Sequence, residues 1–117
     1  MLGNLARMPV EGDEWALTHH GLRCGVITVR GIDQPWVLGT WAPTAEFAPL
    51  APLFERELAV SRADNWDDAG VADLEGVWAE IRKAVDLHYP DGRIVPEFLL
   101  HIDGTDAWFR WNDEPFE

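Results

Sequence analysis

Four ionisable side chains near the carboxyl-terminal end of the sequence have the types and spacing expected of an acid–base site. Glu97 and His101 fall in one apolar run, and Asp106 and Arg110 fall in the next. If the two runs pair as a β-hairpin, all four side chains lie on one face of the sheet, because side chains alternate along a strand. A histidine oriented by a carboxylate is what a general base needs. The sequence therefore offers His101, Asp106, Glu97 and Arg110 as candidate catalytic residues of a hydrolytic or small-molecule-binding enzyme.

The same four residues also fit a non-catalytic description, as two charged pairs across neighbouring strands. Glu97 would face Arg110, and His101 would face Asp106, on an exposed sheet surface. Opposite charges in such positions contribute about 0.2–1 kcal/mol each to the stability of a sheet. The catalytic role is therefore the alternative interpretation, and a protein without a catalytic site is the leading one.

The hairpin that carries these residues is the clearest structural signal in the chain. An Asp-Gly pair separates the apolar runs Arg93–Ile102 and Thr105–Trp111, which is typical of a hairpin with a type I′ turn. A two-residue loop pairs Ile102 with Thr105, and a four-residue loop keeps the same side chains on each face. A three-residue loop would place Arg110 among the core residues, so the pattern argues against it. Pro96 cannot donate a ladder hydrogen bond, so its strand is expected at a sheet edge or a bulge. One face is wholly apolar and must be covered: Phe98, Leu100, Ile102, Ala107, Phe109 and Trp111.

Two earlier segments with β-branched residues, Leu22–Arg30 and Pro35–Trp41, predict a pair of antiparallel strands. Before them, an acidic start after Asp13 and histidines before Gly21 favour a short helix. The same segment also alternates with period two, as a strand would. A short N-terminal helix is the prediction, and a strand is the alternative.

Two later segments have the spacing of amphipathic helices. The first is predicted to be regular from about Pro52 to Ala59, because proline is acceptable in a first turn. The second covers Val71–His88 and follows i, i+3, i+4 spacing almost without a break. Helices between two strand pairs indicate an α+β fold with an antiparallel sheet of about four strands and two helices packed on one face. We expect a single domain over residues 1–117, with a loosely held arm over residues 1–12.

The charge of the chain excludes some partners and favours others. A formal net charge of −12 over 117 residues, with no cluster of basic residues, argues against binding to nucleic acid or to anionic membranes. The only cysteine is Cys24, so no disulfide framework or thiolate zinc site is expected, and the spacing of the four histidines predicts no metal or other cofactor. No signal peptide or membrane span is recognisable, which favours a cytoplasmic location. The single lysine among nine basic residues is typical of a GC-rich, bacterial genome.

Seven tryptophans are unusual for this length, and one of them lies in an acidic loop. Trp66 is surrounded by Asp64, Asp67 and Asp68, a combination that suits a basic protein surface. The structural alternative is that an aspartate of this loop caps the following helix and Trp66 folds back on the core. We therefore take Asp64, Trp66, Asp67 and Asp68 as candidate partner-binding residues.

Charge, tryptophan content and the lack of a catalytic motif together predict a non-catalytic acidic binding domain. Its partner would be a basic protein, in a role similar to that of an immunity protein, an antitoxin or a regulator. An enzyme that uses the four ionisable residues of the hairpin is the second hypothesis. Self-association through exposed tryptophans is the third, since tryptophan is enriched at binding hot spots.

Overall fold

The computed structural model describes residues 9–63 and 67–113 and has the predicted α+β class. It contains six strands rather than about four, together with two α-helices and a 3₁₀ helix, Ala45–Leu50. The helices lie between the third and fourth strands in the chain, as the sequence predicted. The elements are β1 Glu14–His19, β2 Leu22–Asp33, β3 Trp36–Pro43, α1 Ala51–Arg62, α2 Asp68–Ala84, β4 Asp86–His88, β5 Glu97–Asp103 and β6 Asp106–Asn112.

All six strands form one antiparallel sheet in the order β4-β1-β2-β3-β6-β5. The sheet is strongly curled. Trp15 on β1 and Phe109 on β6 have ring centroids 4.9 Å apart, although β2 and β3 lie between their strands. In a flat sheet these positions would be about 14 Å apart, because neighbouring strands are about 4.8 Å apart. The curl therefore brings the two halves of the sheet together around a common core.

The predicted N-terminal helix is wrong, and the alternative strand is correct. Trp15 and Leu17 alternate into the core as part of β1, while His20 and Gly21 connect β1 to β2. Both connecting residues have positive φ, 53° and 81°, as a type I′ turn requires. Gly21 is thus a hairpin residue and not the end of a helix.

The long predicted helix ends four residues early. Helix α2 stops at Ala84, and β4 follows and pairs with β1. Val85 and Leu87 are both fully buried. Apolar positions so close to the end of an amphipathic pattern fit either a last helical turn or a short strand, so periodicity could not separate the two.

The C-terminal hairpin has the predicted faces but a different register. Leu100 pairs with Phe109 and Ile102 pairs with Ala107, whereas the prediction paired Ile102 with Thr105. The turn residues are Gly104 and Thr105 rather than Asp103 and Gly104, and only Gly104 has positive φ, 64°. Positive φ at the first central residue alone is the pattern of a type II′ turn. β5 lies at the edge of the sheet, where Pro96 predicted it.

The sheet has two faces, and the apolar side chains of the hairpin lie on the first. This face forms the main core, with Trp15, Leu17, Ile27, Trp41, Leu100 and Phe109 among its buried members. Gly39 lies opposite Val29 at a register shift in β2. A Cβ atom there would come within 2.5 Å of Ile27 Cγ2 and 2.8 Å of the Thr28 carbonyl oxygen. The backbones of β2 and β3 can therefore approach this closely only because residue 39 has no side chain.

The helices bring side chains to both faces of the sheet. Pro52 lies in the first turn of α1, as expected, and Asp67 caps α2 by accepting a hydrogen bond from the Gly70 amide at 2.9 Å. Phe54 of α1 belongs to the core on the first face. Glu57, one turn later, bonds His101 on the second face. Within the described ranges, no helix combines the length and the apolar character needed to cross a membrane.

Candidate functional site

The four ionisable residues of the hairpin share the second face of the sheet, but they do not form one site. The expected pairs are wrong: His101 lies opposite Trp108, and Glu97 lies opposite Asn112. Each of the four side chains instead has a partner from another part of the chain. These contacts are Glu97 with Arg82 at 3.3 Å, Asp106 with Arg30 at 3.4 Å, Arg110 over the ring of Trp36 at 5.9 Å, and His101 with Glu57.

The contact between Glu57 and His101 is a buried polar pair. The carboxylate of Glu57 is completely buried, and the side chain of His101 is 7% exposed. Nδ1 of His101 lies 2.8 Å from Oε2 and 3.0 Å from Oε1 of Glu57. Trp78 on α2 donates its indole N–H to the same Oε2 at 2.9 Å. Two N–H donors thus replace the water that a carboxylate needs when it is buried.

Three tryptophans surround the imidazole of His101, and we call Trp36, Trp78 and Trp108 the Trp cluster. Trp108 stacks on the imidazole with ring centroids 5.1 Å apart and an angle of 24°. Trp36 and Trp78 approach at steeper angles, 5.2 and 6.5 Å away. All three tryptophans are half-buried, so the Trp cluster is partly in contact with solvent. The Glu57–His101 pair lies beneath it and connects α1 and α2 to the hairpin.

The hydrogen bonds limit the chemistry that His101 can perform. A carboxylate only accepts hydrogen bonds, so Nδ1 carries the proton that faces Glu57. Within the described residues, Nε2 makes no hydrogen bond to another side chain or to the backbone. An imidazole held in this way has the orientation of a general base. However, the rings that stack on it leave little room for a substrate, so the pair serves best as a rigid support for the Trp cluster.

Carboxylates lie beside the Trp cluster on α2. Glu75 precedes Trp78 by three residues, and residues at this spacing are neighbours on a helix surface. Asp68 lies two turns before Glu75 on the same side of the helix, and Val71 between them is 40% exposed. The Trp cluster is therefore next to a surface that is acidic and partly apolar.

The candidate partner-binding loop is only partly described. Asp64 and Trp66 lie outside the described residues. Asp67 and Asp68 are exposed at the start of α2, where Asp67 is the helix cap that the structural alternative expected. The structure does not bring these two residues into one contact with the Trp cluster.

Glu57 and Trp78 were not predicted as site residues, although the sequence contains a signal for Glu57. Glu57 falls between Phe54 and Leu58 in the apolar stripe of α1. A carboxylate in such a stripe must find donors, because burying a charge without partners is strongly unfavourable. The stripe predicted burial, but nothing in the sequence identified His101 as the partner.

Two ionisable groups outside the Trp cluster, Cys24 and Tyr89, have a pKa that is raised by their surroundings. Burial raises the pKa of the Cys24 thiol to about 11, with a backbone hydrogen bond acting in the opposite direction. The thiol is therefore protonated near neutral pH and is a poor nucleophile. Burial, followed by the hydrogen bond from the Tyr89 hydroxyl to Asp113, raises the pKa of Tyr89 well above its usual value. Among the described residues, no group of three His, Cys, Asp or Glu side chains could hold a metal ion.

Comparisons with protein families, with curated proteins and with solved structures found no match to this chain.

Proposed function

We propose that the protein is an acidic binding domain for a basic protein partner, and that the Trp cluster and the neighbouring carboxylates of α2 form the contact surface. The role would be similar to that of an immunity protein, an antitoxin or a regulator. The observation that carries the proposal is the position of three half-buried tryptophans beside acidic side chains that have no basic partner within the described residues.

The distribution of charge supports a basic partner. Five arginines are already engaged by carboxylates: Arg30, Arg56, Arg62, Arg82 and Arg93. Asp68, Asp73 and Glu75 on α2 are exposed and form no ion pair with any described residue. A partner that brings Lys or Arg to this helix would meet carboxylates that are free to pair. Such charges accelerate association and select against acidic partners.

The Trp cluster supplies the apolar and aromatic part of the surface. Tryptophan is enriched at binding hot spots because it buries a large area and loses little conformational freedom. Trp36 already makes a cation–π contact within the chain, with the guanidinium of Arg110 at 5.9 Å from the centre of its ring. The same interaction with an Arg of the partner would contribute about 0.5–1 kcal/mol at an exposed position.

A peptide-display selection against the purified protein tests the proposal. We expect the enriched peptides to be rich in Arg and Lys and to bind more weakly as salt rises, because exposed charges are screened. Peptides without basic residues would contradict the proposal. The best peptide is then titrated by calorimetry against variants of the full chain.

Two pairs of variants separate local recognition from overall charge. Asp68→Asn/Glu75→Gln removes two exposed carboxylates from the side of α2 that carries Trp78, and Glu11→Gln/Glu46→Gln removes two exposed carboxylates elsewhere. We expect only the first variant to bind several-fold more weakly than wild type. Trp108→Leu should also weaken binding, whereas Trp111→Leu, outside the Trp cluster, should not. Equal affinities within either pair would place the contact elsewhere.

A further inference from the structure

A hydroxyl, an imidazole and a carbonyl line up in an open cleft on the second face of the sheet, at the end opposite to the Trp cluster. Thr18 Oγ1 lies 3.0 Å from Nε2 of His88, and Nδ1 of the same ring lies 3.0 Å from the carbonyl oxygen of Gly92. A carbonyl oxygen can only accept a hydrogen bond, so Nδ1 carries the ring proton. In the neutral imidazole, Nε2 is then the nitrogen without a proton, and it accepts the hydrogen bond from the Thr18 hydroxyl.

This is the arrangement of an activated nucleophile. A hydroxyl that donates to a histidine, whose other nitrogen is oriented by a third group, is the geometric signature of covalent catalysis. Here the carbonyl of Gly92 takes the orienting role that a carboxylate has in the best-known triads. Thr18 and His88 are half-buried rather than enclosed, so a small molecule can reach them.

The fold fixes these groups on three elements. Thr18 is on the central strand of the group β4-β1-β2, and it faces Asp86 on one side and Arg23 on the other. His88 is on β4, two residues beyond Asp86, so its ring reaches Thr18 diagonally across the strand pair. Gly92 follows in a turn, with φ of 96°, which favours glycine.

Arg23 supplies positive charge in the same cleft. Its guanidinium is exposed and forms no ion pair with any described residue. Because Arg23 lies directly opposite Thr18 in the sheet register, its side chain starts beside the hydroxyl. A cation at this position can stabilise the oxyanion that forms when a carbonyl carbon is attacked.

The cleft has the size of a site for a small molecule. Its volume is about 490 Å³, within the range usual for ligand pockets. Ala16 and Val26 pair across β1 and β2 and give it an apolar floor. Its polar lining includes Thr18, His88 and Arg23, together with the carboxylates of Asp13 and Glu14. An apolar floor beside a hydroxyl and a cation suits an ester of a small carboxylic acid.

The geometry points to an esterase site with Thr18 as nucleophile and His88 as general base. Thr18 Oγ1 bonds to the ester carbonyl carbon and its proton passes to Nε2 of His88. The bond to the alcohol oxygen then breaks, and that oxygen takes the proton from Nε2. A water molecule attacks the resulting Thr18 ester and gives a proton to Nε2. The acid leaves, and the proton returns to Thr18 Oγ1.

Hydrolysis of p-nitrophenyl acetate and p-nitrophenyl butyrate by the full chain tests this inference. Acid–base assistance contributes about 100-fold or more to such steps, so Thr18→Val and His88→Gln should lose nearly all protein-dependent hydrolysis. Thr18→Ser should retain it. Surface histidines hydrolyse these esters slowly, so His20→Gln is the matched control for His88, and Thr40→Val is the control for Thr18. Both control side chains lie outside the hydrogen-bonded set, and both variants should keep the wild-type rate.

A second measurement does not depend on the variants being folded. Wild-type protein quenched during turnover should carry one acetyl group, and peptide mass spectrometry should place it on Thr18. Hydrolysis by wild type that is no faster than by folded Thr18→Val would overturn the inference. An acetyl group found only on Lys83 or on the histidines would also overturn it.

Discussion

Replacement of Glu57 by leucine tests whether the buried pair is the link between the helices and the hairpin. Leucine is close to glutamate in size but accepts no hydrogen bond, so the Nδ1–H of His101 and the indole N–H of Trp78 lose their acceptor. A buried donor without an acceptor costs about 1–3 kcal/mol. The cost for His101 should be near the upper limit of this range, because its side chain is almost fully buried. The cost for Trp78 should be lower, because its half-buried indole can bond to a water molecule instead. We expect Glu57→Leu to lower the free energy of unfolding by about 2–4 kcal/mol.

The reverse substitution, His101→Leu, leaves a different group without a partner. The carboxylate of Glu57 is completely buried and would retain only the hydrogen bond from Trp78. A buried carboxylate that is left without enough hydrogen-bond donors costs about 3 kcal/mol or more. When both residues are replaced by leucine, no buried carboxylate remains, and only the indole N–H of Trp78 loses its acceptor. The double variant should therefore be less destabilised than the sum of the two single variants.

Urea denaturation followed by far-UV circular dichroism measures this difference. The double-mutant cycle should give a coupling of about 2–3 kcal/mol between Glu57 and His101. Glu55→Leu removes an exposed carboxylate from the same helix and should be additive with His101→Leu. If the effects of Glu57→Leu and His101→Leu simply add, the pair does not join the two elements and our account of the site is wrong.

Glutamine at position 57 separates hydrogen bonding from charge. Its amide oxygen, placed where Oε2 lies, can accept from both the indole N–H of Trp78 and the Nδ1–H of His101. Glu57→Gln should then be less destabilising than Glu57→Leu and should keep the Nδ1–H tautomer of His101. Long-range ¹⁵N–¹H correlation spectra of the imidazole identify the tautomer. A loss of stability as large as that of Glu57→Leu would contradict this description of the hydrogen bonds.

Three further substitutions or reactions test the fold. Gly39→Ala should be destabilising by about 2 kcal/mol or more, because its Cβ would meet Ile27 at 2.5 Å, whereas Gly31→Ala has open space and should be tolerated in thermal melts. Asp67→Ala should cost about 1 kcal/mol of stability through loss of the α2 cap, and Asp68→Ala should cost less; equal losses in urea titrations would argue against the cap. Cys24 should resist iodoacetamide in the native protein and react on unfolding, since burial raises the pKa of its thiol from 9.0 to about 11; rapid native modification would show that Cys24 is not buried. The raised pKa in the folded state means that Cys24 favours folding below pH 9 and that this contribution is lost as the pH rises toward 11.

The sequence predicted those features that depend on local periodicity. The two faces of the C-terminal hairpin were correct because a shift of two residues leaves every side chain on its own face, although the turn moved from Asp103-Gly104 to Gly104-Thr105. The apolar stripe of α2 was correct because it also depends on a local period. The edge position of β5 has a different basis, since Pro96 cannot donate a ladder hydrogen bond. The sequence did not separate strand from helix at Glu14–His19, because six residues can satisfy either period.

The contacts that form the candidate sites could not be predicted from local periodicity. His101 bonds a residue 44 positions away, and Thr18 bonds a residue 70 positions away. Both pairs depend on which strands become neighbours and on how far the sheet curls. Neither property leaves a pattern within a single segment. The cross-strand pairs predicted for Glu97 and His101 were wrong because the register moved by two residues and because the helices supplied competing partners.

The two proposed surfaces use opposite ends of the second face of the sheet and can be tested independently. The Trp cluster and its support depend on β3, β5, β6, α1 and α2, whereas the cleft around Thr18 depends on β1, β2 and β4. Their polar groups share no residue, so Thr18→Val should leave peptide binding unchanged and Trp108→Leu should leave ester hydrolysis unchanged. If a bound basic peptide nevertheless slows hydrolysis, either the sheet transmits the effect or the peptide is long enough to cover the cleft around Thr18. Repeating the measurement with a shorter peptide distinguishes these cases, because a peptide too short to cover the cleft could slow hydrolysis only through the sheet.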